Sequence, residues 1–373
     1  MKKAIISGGG TGGHIYPALA VARQLIEKGW EILYVGSETG LEKKIVSDEG
    51  FNFREICVAP LPRGFSIRIF NTGFKTVLGL LQSIRIINEY QPELVLGTGG
   101  FVAGPVVLAA SLRGVPTIIH EQNVYPGLTN KLLSYFVDKI ALNFAEADKY
   151  FPVKAAKKMV TSGNPVREII LNTTKEEGLR KFGFNSRTRT LLVFGGSQGS
   201  KSINSAMLEL YDYYQHSRDI QIIHLTGDKN FKFILKELEK KGIDLSQNRN
   251  YKIMPYLSEI QLAYAVADLV IYRAGATGIA EITARGIPAI LIPYPYSAEG
   301  HQEYNARTLE MHGAAFMISD KKLNGKLLIK KVEELINDKE KLKKMAIKSK
   351  KLGKPDATQK LVELIEEITL DFK

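Results

Sequence analysis

The sequence predicts an α/β protein with two doubly wound parallel sheets, one in each half of the chain. Short apolar runs alternate with helical patterns, which is typical of parallel strands joined by right-handed crossover helices. The series starts again after Ser162-Gly163-Asn164-Pro165, and a glycine-rich loop follows the first strand of each series. We therefore predict two Rossmann-like domains, at 1–163 and 164–373, that face a cleft. The last helix, at about 356–370, is expected to pack back on the first domain.

In the first half, short apolar runs predict strands at 3–7, 31–35, 94–97 and 117–120. The first helix is predicted between Pro17, which suits a first helical turn, and Gly29, which suits a C-terminal end. Apolar residues at helical spacing predict a long helix at about 69–90, and another helix begins near Leu128.

In the second half, the same pattern predicts strands at 190–194, 220–225, 251–254, 268–272 and 289–293. A helix at 201–214 follows the glycine-rich loop. The tail from Lys321 is helical and rich in lysine, and such blocks of like charge are typical of a solvated surface.

The length and composition limit the classes of protein to which this chain can belong. The chain has 373 residues, 45% of them hydrophobic, which suits about two domains. Cys57 is the only cysteine, so neither an intrachain disulfide nor a cysteine-based zinc site is expected. No signal-peptide core and no apolar run of about 20 residues is evident, which predicts a soluble, cytoplasmic protein. The net charge of +12 indicates either an anionic partner or simply good solubility.

The first glycine-rich loop is Ser7-Gly8-Gly9-Gly10-Thr11-Gly12-Gly13-His14. Its glycines would let backbone N–H groups approach a phosphate at a helix N-terminus. A nicotinamide or flavin dinucleotide is disfavoured, because the second strand ends Tyr34-Val35-Gly36 without the acidic residue that holds the ribose. His14 is a titratable ring at the mouth of the sheet, and a purely structural, hydrogen-bonded histidine is the alternative.

The second half offers a matching loop, Gly195 to Ser200, whose backbone donors and helix dipole suit a diphosphate. Two further candidates follow it. The segment Arg273 to Glu281 comes after a strand, and Glu281 could accept hydrogen bonds from ribose hydroxyls. Gln302 is a neutral amide suited to a sugar. No D-x-D triplet and no metal-ligand spacing is present, so we expect no metal and no cofactor.

Seven motifs in order resemble those of the bacterial peptidoglycan N-acetylglucosaminyltransferases, which belong to glycosyltransferase family 28. The motifs are Gly8 to His14, Gly97 to Pro105, His120-Glu121-Gln122-Asn123, Gly163 to Arg167, Gly195 to Gly199, Arg273 to Ala276 and His301-Gln302. The resemblance implies a GT-B fold. It also implies inverting transfer of N-acetylglucosamine from its UDP form to O4 of the muramoyl-pentapeptide on undecaprenyl diphosphate, at the cytoplasmic face of the membrane.

The resemblance also implies a set of residues that contact the donor. They are Thr11, Gly12, Gly13, Asn123, Arg167, Ser197, Leu257, Ala276, Thr277, Glu281 and Gln302. Leu257 would lie by uracil, Glu281 by the ribose and Gln302 by the sugar. We hypothesise that His14 is the base that takes the acceptor's proton, because imidazole titrates near neutrality. His301 departs from relatives that have glutamine there, and Tyr294-Pro295-Tyr296 is assigned no role.

A lipid-linked acceptor needs a membrane-facing surface, and the segment from Ile56 to Asn88 has no acidic residue. Helical spacing predicts a core-facing stripe and leaves other apolar side chains, with basic ones, to meet an anionic membrane surface. The predicted core stripe is Phe70, Phe74, Val77, Leu81 and Ile84. The predicted membrane face is Phe65, Ile67, Ile69 and Leu80, with Arg68 and Lys75. A buried core helix with exposed arginines is the alternative.

Three other functions are weighed against this interpretation. A related enzyme that glycosylates diacylglycerol would share the fold and the UDP-sugar. A nucleic-acid-binding protein would explain the positive charge, but no helix-turn-helix, RNP or zinc-finger pattern accompanies it. A non-enzymatic nucleotide-binding module is disfavoured, because two domains with facing loops suggest closure over two substrates.

Overall fold

The computed structural model describes residues 1–60, 68–245 and 248–372. It divides into two compact units. Unit 1 comprises Met1–Arg167 and Lys354–Lys373, and unit 2 comprises Glu168–Gly353.

The described residues of unit 1 form seven strands. They are β1 (Lys3–Gly8), β2 (Glu31–Ser37), β3 (Asn52–Ile56), β4 (Leu94–Gly99), β5 (Thr117–Glu121), β6 (Lys139–Leu142) and β7 (Met159–Thr161). The helices among them are α1 (Gly12–Glu27), α2 (Leu41–Asp48), α3 (Arg68–Tyr90), α4 (Ala103–Leu112) and α5 (Leu128–Leu133). The strand order is β3-β2-β1-β4-β5-β6-β7, and every pairing is parallel.

Unit 2 has six strands. They are β8 (Arg189–Phe194), β9 (Ile220–Leu225), β10 (Tyr251–Met254), β11 (Leu269–Tyr272), β12 (Ala289–Leu291) and β13 (Ala315–Met317). Its helices are α6 (Glu168–Asn172), α7 (Lys175–Phe182), α8 (Lys201–Tyr214), α9 (Asp228–Lys240), α10 (Ile260–Val266), α11 (Ala276–Arg285), α12 (His301–Met311), α13 (Gly325–Ile336) and α14 (Lys339–Leu352). The order is β10-β9-β8-β11-β12-β13, again all parallel.

The last helix, α15 (Ala357–Asp371), belongs to unit 1 and packs on α1. The two faces of the unit 1 sheet have separate apolar clusters, because side chains alternate along each strand. Ile6 of β1 lies in the cluster with α1 and α15, whereas Ile5 lies in the cluster with α3, α4 and α5. In unit 2, Leu191 and Val193 of β8 pack in one cluster with α8 and α13.

The predicted fold class is confirmed: both units are doubly wound and parallel. Counted within its own unit, the sheet of unit 1 has the order 3-2-1-4-5-6-7 and that of unit 2 the order 3-2-1-4-5-6, so the order reverses between β1 and β4 and between β8 and β11. Loops at the carboxyl ends of strands beside such a switch point are where open α/β sheets bind ligands.

Two predictions about elements are wrong. Helix α1 begins at Gly12, so Pro17 lies inside the helix and not in its first turn. Glycines carry little helix propensity, which hid this start. Strands β3, β6, β7 and β13 were not predicted, because β3 is mostly polar and the other three have only three or four residues.

Candidate active site

In unit 1, the glycine loop after β1 carries His14 into the first turn of α1, beside the ends of β4 and β5. The imidazole Nδ1 donates to the Thr98 carbonyl at 2.9 Å and lies 3.0 Å from the Gln122 side-chain oxygen. Gly99 makes this approach possible, since a Cβ there would lie 2.9 Å from Nδ1 and its φ is +101°. The residue is half-buried, and its Nδ1 edge faces groups of the protein.

The glycine loop of unit 1 is closed from below by Glu42, a fully buried carboxylate of α2. It accepts from the Gly10 amide at 3.1 Å and from the amide and hydroxyl of Ser37 at 3.0 and 2.6 Å. The Gly9 amide donates to Gly99 instead. Two amides that the sequence offered to a phosphate therefore bind groups of the protein itself, and an internal anion occupies the base of the loop.

Two further candidates of unit 1 lie after later strands. Asn123 follows β5 and donates from its amide and side chain to Glu121, at 2.9 and 3.2 Å. Arg167 follows β7, and its guanidinium lies 5.4 Å from the centre of the Tyr16 ring. Both side chains are half-buried. The structure thus brings Thr11 to His14, Asn123 and Arg167 to the carboxyl edge of one sheet.

Within the described residues, the glycine loop of unit 2 has backbone amides that are not bonded to the protein, unlike the Gly9 and Gly10 amides of the unit 1 loop. Across residues 1–60, 68–245 and 248–372, no protein acceptor faces the backbone amides of Gly196, Ser197 and Gln198. Ser197 is exposed. The loop leads directly into α8, whose N-cap Ser200 accepts from the Ile203 amide. Consecutive open amides at a helix N-terminus form a site for an anion.

Arg273, at the end of β11, braces this loop and is 8% exposed. Its guanidinium donates to the Ser200 and Ser202 hydroxyls at 2.6 and 2.8 Å and to the Asp320 carboxylate at 2.5 Å. It also donates to two backbone carbonyls after β12. The sequence marked the Arg273 segment as a candidate but assigned the arginine no role; its position directly after a buried strand was the available signal.

The remaining candidates of unit 2 follow the ends of β10, β11 and β12. Glu281 of α11 is buried and accepts from the Tyr264 hydroxyl at 3.0 Å. The side-chain oxygen of Gln302 accepts from the Tyr294 amide at 2.9 Å, so its NH2 group is the part left to donate. Ala276 is buried, and Thr277 and Leu257 are half-buried. Ser197, Leu257, the α11 residues and Gln302 therefore share the carboxyl edge of the unit 2 sheet.

Some of the residues predicted to face the membrane lie outside the residues that the structure describes. Phe65 and Ile67 lie outside the described residues, and so do the side chains of Arg68 and Ile69. Lys75 is half-buried. Leu80 is half-buried and packs against the core, so its assignment to the membrane face is wrong.

The predicted core stripe of α3 is wrong at three of its five positions, whereas Ile84 packs against the core and the side chain of Phe70 lies outside the described residues. Phe74, Val77 and Leu81 are 65%, 57% and 58% exposed. The buried face instead carries the small residues Gly79 and Ser83, because α3 approaches α4 and the chain near Cys57 closely: a Cβ at Gly79 would lie 2.9 Å from the Cys57 carbonyl. Small side chains allow that approach in the middle of the helix, and the large apolar residues that are buried, Ile86 and Ile87, lie near its end.

In the part of the chain that the structure describes, no helix has both the length and the apolar character needed to cross a membrane.

Comparison with known proteins follows the same division of the chain. Residues 4–142 match the glycosyltransferase family 28 N-terminal domain, and residues 190–361 match the C-terminal domain of that family. The UDP-N-acetylglucosamine--N-acetylmuramyl-(pentapeptide) pyrophosphoryl-undecaprenol N-acetylglucosamine transferase of Halothermothrix orenii is 57% identical over 98% of each chain. The protein of that name from Thermoanaerobacter sp. strain X514 is 44% identical over 98% of this chain and 100% of its own. The crystal structure of Acinetobacter baumannii MurG aligns with a TM-score of 0.77 and 28% identity, covering 98% of this chain and 100% of that one.

Proposed function

The chain belongs to glycosyltransferase family 28, and on that premise we propose how its two units divide one transfer reaction. It is a UDP-N-acetylglucosamine-dependent glycosyltransferase that carries out the lipid I to lipid II step of peptidoglycan synthesis. It adds N-acetylglucosamine to the N-acetylmuramyl-pentapeptide on pyrophosphoryl-undecaprenol. The observation that carries this assignment is the near-full-length identity to proteins named for that transfer.

Unit 2 takes the UDP part of the donor. The open amides of Gly196, Ser197 and Gln198 at the start of α8 support this role, since they suit the two negative charges of a diphosphate. Buried Glu281 offers carboxylate oxygens to ribose hydroxyls, and the NH2 group of Gln302 can donate to the sugar. Leu257, Ala276 and Thr277 are proposed around the nucleotide. Thr11, Gly12, Gly13, Asn123 and Arg167 of unit 1 complete the donor set that the family pattern implies.

Unit 1 supplies the base, His14. In an inverting transfer, the acceptor hydroxyl O4 attacks the anomeric carbon as the bond to the UDP oxygen breaks. The electron pair of that bond leaves with UDP, and the hydroxyl proton passes to the imidazole. Because Nδ1 donates to a carbonyl, Nε2 carries the lone pair that can take this proton. The loop amides and the dipole of α8 stabilise the charge on the departing UDP.

Replacing His14 tests the base directly. We expect His14→Ala to lower kcat by 10²–10⁴, the usual contribution of general acid–base catalysis, with little change in UDP affinity. UDP release from purified protein is measured with the muramoyl lipid, with diacylglycerol and with no acceptor. A loss in kcat of less than tenfold would overturn the base role. Release with diacylglycerol alone would leave the donor site in place and overturn the acceptor.

We propose that the protein works as a peripheral protein at the cytoplasmic face of the membrane, and that the outer surface of α3 meets the lipid. Phe74, Val77 and Leu81 support this, since they form an exposed apolar stripe on a helix. Helix α5 lies over the same face of the sheet as α3 and adds further exposed apolar side chains. These are Leu128 and Leu132 of α5, together with Tyr135 and Phe136 in the turn that follows it. Phe65, Ile67, Ile69, Arg68 and Lys75 remain proposed contributors.

Flotation with vesicles that contain anionic lipid tests this surface. We expect the double variant Val77→Glu and Leu81→Glu to lose most vesicle binding, because two charges enter the apolar stripe. Leu370→Glu is the matched control: Leu370 is 64% exposed on α15, over the opposite face of the same sheet. Equal flotation of the double variant, the control and the unaltered protein would remove α3 from the membrane face.

A further inference from the structure

A chain of hydrogen bonds runs behind the His14 ring in unit 1. The Gln122 side-chain nitrogen lies 2.6 Å from the Thr98 carbonyl and 3.0 Å from Nδ1 of His120. Nε2 of His120 lies 2.9 Å from the Gly163 carbonyl. Gln122 and His120 are 2% and 0% exposed. Two buried side chains thus connect His14 to the backbone at the end of β7.

The carbonyl of Thr98 decides how the Gln122 amide is oriented. A carbonyl oxygen only accepts, so the Gln122 atom that lies 2.6 Å from it must be the NH2 nitrogen. The Gln122 oxygen therefore faces Nδ1 of His14 at 3.0 Å. Nδ1 now has two acceptors, this oxygen and the Thr98 carbonyl, so it must carry the proton.

The other end of the chain leads to the same assignment. The Gly163 carbonyl requires a proton on Nε2 of His120. The neutral ring then has an unprotonated Nδ1, which accepts from the Gln122 NH2 group. Burial lowers the pKa of His120 to about 4, so the ring stays neutral at physiological pH. A protonated Nδ1 would face the NH2 group donor to donor.

We propose that Gln122 and His120 are positioning residues that hold His14 as the Nδ1–H tautomer, with the lone pair on Nε2. This inference rests on the proposed role of His14 as the base. The tautomer matters because the Nε2–H form could not take a proton at Nε2. Neither residue touches substrate, and no proton travels along the chain, since the atoms that face Nδ1 are neutral oxygens.

The same arrangement stabilises the product of proton transfer. When Nε2 takes the acceptor's proton, the ring becomes an imidazolium whose Nδ1–H bonds strengthen toward two oxygens. The charged residue nearest along β5, Glu121, has its carboxylate engaged by the amides of Asn123 and Gly127 and by Asn130. The groups that contact Nδ1 are thus neutral dipoles, which favour the imidazolium formed during the transfer.

Nitrogen-15 spectra of histidine side chains in the full-length protein test the tautomer, and need no variant. We expect the His14 resonances of the Nδ1–H form. The Nε2–H form in the unaltered protein would overturn the proposal. His224 of unit 2, buried and bonded to Asn204 and Tyr211, is an internal control whose resonances stay fixed in every unit 1 variant.

Two substitutions at Gln122 then separate positioning from simple packing. Gln122→Met keeps the volume but removes the acceptor, so the acid limb of the kcat profile moves to lower pH. We expect kcat to fall about tenfold, with KM for the donor unchanged. Gln122→Glu keeps an oxygen and adds charge, so the acid limb moves to higher pH. Equal pH profiles for both variants and the unaltered protein would overturn the proposal.

The failure of this inference can be told from the failure of the base role. If His14→Ala keeps more than a tenth of kcat while the spectra show the Nδ1–H form, the base role fails and the positioning stands. If His14→Ala is inactive while the unaltered protein shows the Nε2–H form, the positioning fails and the base role stands.

Discussion

The two glycine loops follow equivalent strands, β1 and β8, but the buried side chains that contact them carry opposite charges. In unit 1 the buried carboxylate of Glu42 lies under the loop and accepts its Gly10 amide. In unit 2 the guanidinium of Arg273 lies behind the loop and leaves three successive amides open. An internal anion competes with a phosphate for the same donors, whereas an internal cation adds to the attraction.

This difference shows that a glycine-rich strand-to-helix turn supplies only a backbone conformation. The charge of the buried side chain that contacts the turn then determines whether the turn can bind an anion. In unit 1 the shape brings His14 to the end of β4, where its ring bonds the Thr98 carbonyl. In unit 2 the shape presents backbone donors at the N-terminus of α8. We therefore expect UDP affinity to depend more on the loop of unit 2 than on that of unit 1.

Replacing Arg273, the cation behind the unit 2 loop, has the largest expected effect on UDP binding. Arg273→Ala removes the guanidinium from Asp320 and leaves the Ser202 hydroxyl as a remaining donor to that carboxylate; breaking a mostly buried charge pair costs about 3 kcal/mol of stability. We expect the dissociation constant of UDP, measured by calorimetry, to rise about 100-fold, or about 2.8 kcal/mol. Arg273→Lys, which keeps the charge, is the second variant if the alanine variant does not fold.

Arg307→Ala is the matched control for this change, because it opens an exposed ion pair with Glu303 on α12 of the same unit. Such pairs contribute about 0–1 kcal/mol, so UDP binding should stay within about twofold. Unchanged UDP affinity in folded Arg273→Ala would contradict the role of the cation.

Removing the anion of unit 1 should act on stability and not on UDP. Glu42→Ala leaves two amides and a hydroxyl without their acceptor, at a cost of about 3 kcal/mol in the free energy of unfolding by urea. UDP affinity should change less than about twofold. Glu49→Ala, at the exposed end of α2, is the control for stability. A large loss of UDP binding in Glu42→Ala would contradict the prediction that this carboxylate affects stability and not UDP affinity.

Acid should weaken both units alike, through a buried histidine in each. Burial lowers the pKa of His120 to about 4 and that of His224 to about 3. The unfolded chain binds a proton near pH 6.5 and the folded one does not, so stability is lost as pH falls through this window. At pH 5 each histidine costs about 2 kcal/mol.

Urea unfolding at pH 7.5 and pH 5 measures this loss. His224→Gln, which keeps a polar side chain beside Asn204, should reduce the difference in stability between the two pH values. His216→Gln, at an exposed position of the same unit, should leave it unchanged. An equal pH dependence in His224→Gln would show that burial of this ring is not its cause.

The smallest expected effect is that of a single hydroxyl on the open loop. Ser197→Ala should weaken binding of UDP-N-acetylglucosamine about fivefold, or about 1 kcal/mol, because one hydrogen bond to a charged diphosphate is lost. Ser205→Ala, exposed on the next turns of α8, should have no effect. If both variants bind the donor equally, the backbone amides alone hold the diphosphate.

Much of the fold could be predicted, because its signals are local. Strands β9 and β10 and helix α8 have the bounds that the sequence indicated, since mostly apolar runs mark the two strands and the glycine-rich loop marks the start of the helix. The start of α1 and strand β7 could not be predicted. The start of α1 consists of glycines, which have low helix propensity, and the three residues of β7 are held mainly by pairing with β6.

The candidate site was predictable only in outline. Strand ends locate His14, Ser197 and Glu281, because the carboxyl ends of parallel strands share one edge of a sheet. The partners of these residues could not be found in the same way: Glu42 lies 32 residues from Gly10, and Gln122 lies 108 residues from His14. Helix α3 shows the same limit, because apolar spacing predicts a stripe without stating which side is buried.

The sequence by itself determined that two parallel α/β units follow one another, that a glycine turn opens each, and that the motifs of one enzyme family run through both. Those properties depend on short-range periodicity and on residue types. Only the tertiary structure decided the charge beneath each loop, the tautomer of His14 and the outward face of α3. Each of these depends on which distant side chains meet, and burial and hydrogen bonding act between neighbours in space.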